Sequence, residues 1–175
     1  MNVHTLGPSD TDSYAAAADY NSHYQNNLAQ IICHKSFEEI LTNLADYSKE
    51  YLIIPTAFKS KSLHASWGDV HYTLLDQMNL ITSFITKLDP LVVVKRINAA
   101  NKIGYTHAAT AQLLKHTIKD VSVITTPSKY LAYQAYQKNK AAYVLTNTKN
   151  IKLTAKETII KSFSPSMVWC LYQIN

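Results

Sequence analysis

The chain has 175 residues, 47% of them hydrophobic and 17% charged, a composition that excludes a disordered chain and suits one globular domain or two small lobes sharing a core. No apolar run approaches the roughly 18 residues of a membrane span, and the start MNVHTLGP carries no basic residue ahead of its apolar ones, so neither a membrane span nor a signal peptide is expected. The net charge of +5 is unevenly placed: residues 1–34 hold no Lys or Arg, whereas Lys95 to Lys161 hold twelve basic and two acidic side chains.

Val3 to Ala18 (VHTLGPSDTDSYAAAA) opens as a short apolar strand, turns at Gly7-Pro8 and enters an alanine-rich helix through small oxygen-bearing residues. The first amides of a helix lack partners within it and sit at the positive end of its dipole, so a carboxylate or phosphate can rest against Thr11 to Ser13. The same residues also suit a plain helix cap. Ala29 to His34 reads as a buried strand, and Ser36-Phe-Glu-Glu39 is a capping box that opens a helix over Phe37 to Tyr47. Tyr51 to Pro55 is the next strand. Thr56 to Gly68 has loop composition at a carboxyl strand end, the edge of an open α/β sheet that ligands prefer. Asp69 is expected to cap a helix to Asn79. Leu80 to Lys87 and Leu91 to Lys95, broken by Asp89-Pro90, read as strands crossing between lobes.

The second half repeats the scheme. A strand at Lys102 to Thr106 precedes a helix over Ala108 to Lys119, and a strand at Val121 to Thr125 precedes a helix from Pro127 to Lys138. Ala141 to Thr146 is a further strand, Ile151 to Ser162 stays open between strands and a short helix, and Met167 to Ile174 returns the chain to the first sheet. Hydroxyls stand at each strand-to-helix junction, at Thr106-His107 and Thr125-Thr126, so several helix starts are expected to converge on one cleft.

The basic residues are scattered singly and no helix-turn-helix, zinc or RNA-binding signature accompanies them, so a small anion rather than nucleic acid is the expected partner. Arg96 is the one arginine, and a bidentate carboxylate clamp therefore falls to it. Cys33 and Cys170 have neither metal-site nor CxxC spacing and read as reduced core thiols of a cytoplasmic protein. With three glycines and no HExxH, EF-hand, P-loop or GxGxxG motif, neither a metal nor an organic cofactor is expected. His107, at a helix start, is the best acid-base candidate. His64 and His71 read as surface residues.

In its order of motifs the chain resembles the prephenate dehydratase catalytic domain, and the resemblance spans nearly the whole sequence. It rests on Leu6-Gly7-Pro8 with Thr11 and Ser13, on Ser36-Phe37-Glu38-Glu39, on Pro55, on Tyr105-Thr106-His107 in place of Ser-His, and on Thr125-Thr126 in place of Ser-Thr. Pro55-x-Ala57-Phe58, Leu145-Thr146-Asn147 and Met167-x-Trp169-x-Leu171 are most similar to the prephenate decarboxylases of the bacilysin pathway. The resemblance implies an α/β, two-lobed fold of the type 2 periplasmic-binding-protein kind with a cleft between lobes, lobe 1 over about 1–88 plus 164–175 and lobe 2 over about 89–163. Dehydratases carry Thr-Arg-Phe in the final strand, and this chain has Met167-Val168-Trp169-Cys170 there, lacking both the hydroxyl donor and the arginine. The family's glycine after Gly-Pro-x is here Asp10.

The candidate catalytic residues are then His107, Thr106 and Thr11. The candidate substrate contacts are Ser9, Asp10, Ser13, Thr56, Ala57, Phe58, Thr125, Thr126, Asn147, Met167, Trp169 and Arg96. Without a donor to the leaving hydroxyl, elimination loses its proton source while decarboxylation with ring protonation remains. The expected activity is cofactor-independent, non-aromatising decarboxylation of prephenate. Dehydration or another lyase reaction on a cyclic dicarboxylate, and non-catalytic small-anion binding, stand as alternatives. No membrane partner is expected, and a homodimer is left open.

Overall fold

The structure is a computed structural model that describes all residues from Met1 to Asn175. In chain order its elements are β1 (Asn2–Leu6), α1 (Asp12–Tyr24), β2 (Gln30–His34), α2 (Phe37–Thr42), β3 (Tyr51–Pro55), β4 (Lys59–Ser60), β5 (Ala65–Ser66), α3 (Trp67–Thr73) and β6 (Met78–Lys87). There follow β7 (Leu91–Arg96), β8 (Ile103–His107), α4 (Ala111–Thr117), β9 (Ser122–Thr126), α5 (Lys129–Lys138), β10 (Tyr143–Asn147), β11 (Glu157–Phe163) and β12 (Ser166–Ile174). No helix is long and apolar enough to cross a membrane. The chain divides into two compact units, Met1–Lys87 with Ser166–Asn175, and Leu88–Pro165.

The first unit is built on a sheet of order β2-β1-β3-β12-β6, in which β2, β1 and β3 are parallel while β12 runs antiparallel to β3 and β6. The central strand β3 carries Leu52, Ile53 and Ile54, all fully buried, because helices cover both faces of a parallel sheet. Each such side chain contributes about 1.5–3 kcal/mol. Leu52, Ile54, Cys170, Tyr172 and Ile174 pack against Phe37, Ile40, Leu41 and Leu44. By strand alternation Val3, Ile53, Trp169 and Leu171 face the other way, where α1 buries Ala16, Ala17 and Tyr20.

The second unit has the order β11-β7-β10-β8-β9, with β10, β8 and β9 parallel and β7 antiparallel to both β10 and β11. Val92, Val94, Tyr105 and Val144 pack under Ala132 and Tyr136 of α5. Leu91, Val93 and Leu145 pack under Leu114 of α4.

Several local expectations change. The helix expected to Tyr47 stops at Thr42 and resumes as a 3₁₀ turn over Leu44–Tyr47, because Asn43 leaves helical geometry. Asp69 is not a cap: Ser66 is, and Asp69 closes the capping box from the third helical position, so α3 ends at Thr73 and β6 starts at Met78. The helix expected over Ala108 to Lys119 is a 3₁₀ turn over Ala108–Thr110 followed by α4. Ser128, rather than Pro127, starts α5 by accepting the Leu131 N–H. The open segment Ile151 to Ser162 becomes strand from Glu157 onward, as β11, and the Thr56 to Gly68 loop contains the small hairpin of β4 and β5. Cys170 is buried, but Cys33 is exposed because β2 is an edge strand.

Candidate functional site

In an open sheet the carboxyl ends of parallel strands deliver the loops that hold ligands. In the second unit β10, β8 and β9 end at Asn147, His107 and Thr126, and His107 is in register with Thr126. His107 caps the 3₁₀ turn: its Nδ1 accepts the Ala109 N–H at 3.3 Å, so the neutral ring carries its proton on Nε2. Beside it, Thr126 donates its hydroxyl to the Ser128 carbonyl at 2.8 Å, and Asn147 is buried at the end of β10. Thr125 is exposed on the edge strand. Thr106 does not join the site as an acid or base. It is fully buried, and its hydroxyl donates to the Leu145 carbonyl at 2.9 Å and lies 2.7 Å from the Thr110 hydroxyl, stitching β8 to β10. This unit carries twelve basic and three acidic side chains, against five and nine in the first, a field that favours an anionic ligand.

In the first unit β1 ends at Leu6 and the chain turns through a cis Gly7-Pro8 bond to the exposed Ser9 and Asp10. Glycine is required at position 7 because a Cβ there would lie 2.7 Å from Cys33 Cβ. Thr11 is the cap of α1, its hydroxyl donating to the Leu6 carbonyl at 2.8 Å and accepting the Tyr14 N–H at 3.1 Å. That hydroxyl is committed on both sides, which corrects its assignment as a catalytic group. Ser13 is buried, and Asp12 in the first turn with Asp10 just ahead already sets two carboxylates at the helix's positive end. An anion bound there competes with both.

At the end of β3 Thr56 donates both its N–H and its hydroxyl to the Val168 carbonyl, at 3.0 and 3.3 Å. Ala57 is exposed, whereas Phe58 is a core residue set edge-on to Phe37. Trp169 is also core: it is 2% exposed and donates Nε1–H to the Thr86 hydroxyl at 2.9 Å. Met167, two residues earlier on the same strand face, is half-buried.

Arg96 is not brought to these edges. It ends β7, which runs antiparallel to β10, and so lies at the opposite end of the sheet from Asn147 and His107. Its guanidinium pairs with Glu157 at 3.1 Å, donates to the Ala141 carbonyl and the Gln137 side chain, and stacks 4.5 Å from the Tyr136 ring centroid. Burial acts to raise the Glu157 carboxyl, but hydrogen bonds from Thr154 and Gln137 outweigh it and hold it below the usual range. The arginine is a structural residue.

The sequence reading missed a polar chain within the first unit. Glu50 contacts His4 Nε2, His4 Nδ1 lies 2.8 Å from His34 Nε2, and His34 Nδ1 lies 3.9 Å from Glu39, with Tyr47 over the His4 ring at 4.2 Å. Each histidine sits singly in an apolar strand, and only the β1–β2 register unites them. His71 likewise is no free surface residue, since it stacks on Trp67 at 5.2 Å and bonds the Tyr172 hydroxyl at 2.9 Å. Burial pushes that tyrosine up to about 12.

No family model matches the chain, and no curated protein matches it. Solved structures do. The prephenate dehydratase of Arthrobacter aurescens, solved with L-Phe, superposes with a TM-score of 0.55 at 12% identity over 100% of this chain and 61% of its own. That of Staphylococcus aureus gives 0.54 at 14% over 99% and 66%. The periplasmic VFT2 domain of Bordetella pertussis BvgS gives 0.55 at 14% over 99% and 80%. The chain thus has a mixed α/β fold like that of prephenate dehydratases and periplasmic VFT domains. It spans less than two thirds of the length of those two dehydratases.

Proposed function

We propose that this chain is a cofactor-independent cytoplasmic lyase acting on prephenate, which releases carbon dioxide and leaves the ring hydroxyl in place. The observation that supports the reading is His107 at the carboxyl edge of β8, whose Nδ1 accepts a backbone N–H so that the neutral ring is a hydrogen-bond donor through Nε2–H, suited to orient a water or a substrate oxygen. In such a step the ring-to-carboxylate bond breaks, its electron pair moves through the diene, and a ring carbon takes a proton from water held at the site, the hydroxide left behind combining with the released carbon dioxide as bicarbonate. Carboxylates would be met by backbone amides, Thr126, Asn147 and lysines, since the one arginine is committed to Glu157. Loss of hydroxide needs a donor to the leaving oxygen, and Met167, Val168, Trp169 and Cys170 offer none beyond an indole already bonded to Thr86 and a buried thiol whose pKa burial raises. A missing proton donor typically slows such a step about 100-fold to 10,000-fold. Proton NMR of the protein with prephenate tests this: olefinic ring signals with carbon dioxide release support it, and the five aromatic protons of phenylpyruvate, formed faster than in buffer, overturn it.

A second reading is supported by the likeness to the BvgS domain, which extends over 80% of that structure. In it the chain binds a small anion without turning it over. Calorimetric binding of prephenate with no change in its NMR spectrum distinguishes this reading from the first.

A further inference from the structure

The sheet of the first unit ends on β6, ten residues long and free of charge from Asn79 to Thr86. Natural edge strands are kept short, charged or interrupted by proline, because their unpaired amides and carbonyls template association. The other edges follow that rule. β2 and β9 have five residues each, and β11 carries Lys161 within it and Lys156 beside it. β6 instead exposes Leu80, Ile81 and Ile85, and next to it α1 exposes Tyr24 at 63%. Between them lies a groove of about 490 Å³ lined by Asp19, His23, Tyr24, Ser83, Phe84 and Ile85.

The outward hydrogen-bonding groups of β6 follow from its pairing. Ile174 and Val168 of β12 bond toward Glu50 and Thr56 on the β3 side, so their opposite residues Met78 and Ile85 face away from β12; the Met78 N–H is taken by the Leu74 carbonyl at 3.0 Å, which leaves its carbonyl outward, whereas Ile85 has both groups outward. Continued along the strand, the outward set is Met78, Leu80, Ser83, Ile85 and Lys87, the change from even to odd numbers coming from the bulge opposite Leu171 and Tyr172. This set is self-complementary. About a twofold axis between Ile81 and Thr82, an antiparallel second β6 sets Leu80 opposite Ser83 and Met78 opposite Ile85, and brings Lys87 at each end to the turn ahead of the other copy's β6, where Asp76 is exposed. Opposed residues then share both a sheet face and an outward direction, as an antiparallel ladder requires.

We infer that β6 is the seam of a homodimer in which two copies pair this strand antiparallel, joining two five-stranded sheets into one continuous sheet. The ladder supplies the hydrogen bonds, Leu80, Ile85 and Tyr24 supply the apolar surface, and the two Asp76–Lys87 pairs fix the register. The test is the mass in solution by sedimentation and light scattering across micromolar concentrations. Wild type should run at twice the 19.7 kDa chain mass. Ser83→Pro removes an outward N–H, so no bond within the chain is lost, and should run at the single-chain mass with an unchanged circular dichroism spectrum. Should that variant fold poorly, charge reversal decides. Lys87→Glu should weaken the dimer roughly tenfold, and adding Asp76→Lys should restore it. A wild type that stays single at all concentrations, a folded Ser83→Pro that stays dimeric, or a double reversal that does not rescue overturns the inference.

Discussion

His4 Nδ1 and His34 Nε2 lie 2.8 Å apart, joining β1 to β2 through two imidazoles of which His4 is 2% exposed. Because His4 Nε2 faces the Glu50 carboxylate, that nitrogen bears the proton, and in the neutral pair His34 donates to His4. Burial, and then the proximity of His4, hold His34 below the ordinary histidine value, while Glu39 pulls the other way. The hydrogen bond from His4 is the main cause holding the Glu50 carboxyl below its usual range.

Stability should therefore fall on the acid side of neutrality. Below about pH 6.5 the unfolded chain protonates a histidine that the folded chain keeps neutral, so stability is lost as the pH drops toward the folded value. Glu50 adds a further loss at still lower pH, as it is protonated in the unfolded state first. The melting temperature should decline by about 2–4 °C for each kcal/mol lost. His34→Gln, which can still donate to His4, should flatten the slope near pH 6. An unchanged slope would show that other groups control it.

His107→Gln keeps a polar side chain at the end of β8 but removes the imidazole. If Nε2–H orients the group that delivers the ring proton, kcat should drop about 100-fold to 10,000-fold, with KM and melting temperature little changed. Turnover within a few-fold of wild type would transfer the role elsewhere.

Thr11→Ala removes a cap rather than a catalytic hydroxyl, since both partners of Thr11 Oγ1 are backbone groups, the Leu6 carbonyl at the end of β1 and the Tyr14 N–H in the first turn of α1. Thermal or chemical melts should show a loss of about 1 kcal/mol. Calorimetric affinity for prephenate should change less than tenfold. A larger affinity loss without destabilisation would return Thr11 to the ligand site.

Glu157→Ala should be among the most destabilising single changes in the second unit. It strands the Arg96 guanidinium, 17% exposed, beside a site that Glu157 fills with no exposure of its own. Breaking such a pair costs about 3–5 kcal/mol, visible in urea melts. Turnover per folded molecule should remain that of wild type, and a selective loss of activity would contradict the structural role of Arg96.

What the sequence by itself determined is local. Short apolar runs marked β1, β3 and β12, and the oxygen-bearing residues Thr11 and Ser36 marked the starts of α1 and α2, because a cap bond closes within three residues and needs no distant partner. The strand-to-helix junctions at His107 and Thr126 were legible for the same reason, and they are adjacent because β8 and β9 are neighbours. Only the tertiary structure decided which polar side chains remain available for chemistry. Arg96 was assigned to a ligand until the pairing of β7 with β11 set it opposite Glu157, and Trp169 until the pairing of β12 with β6 set its indole against Thr86. A charge or donor takes its partner from whatever the sheet order sets a few ångströms away, and sheet order joins residues dozens of positions apart.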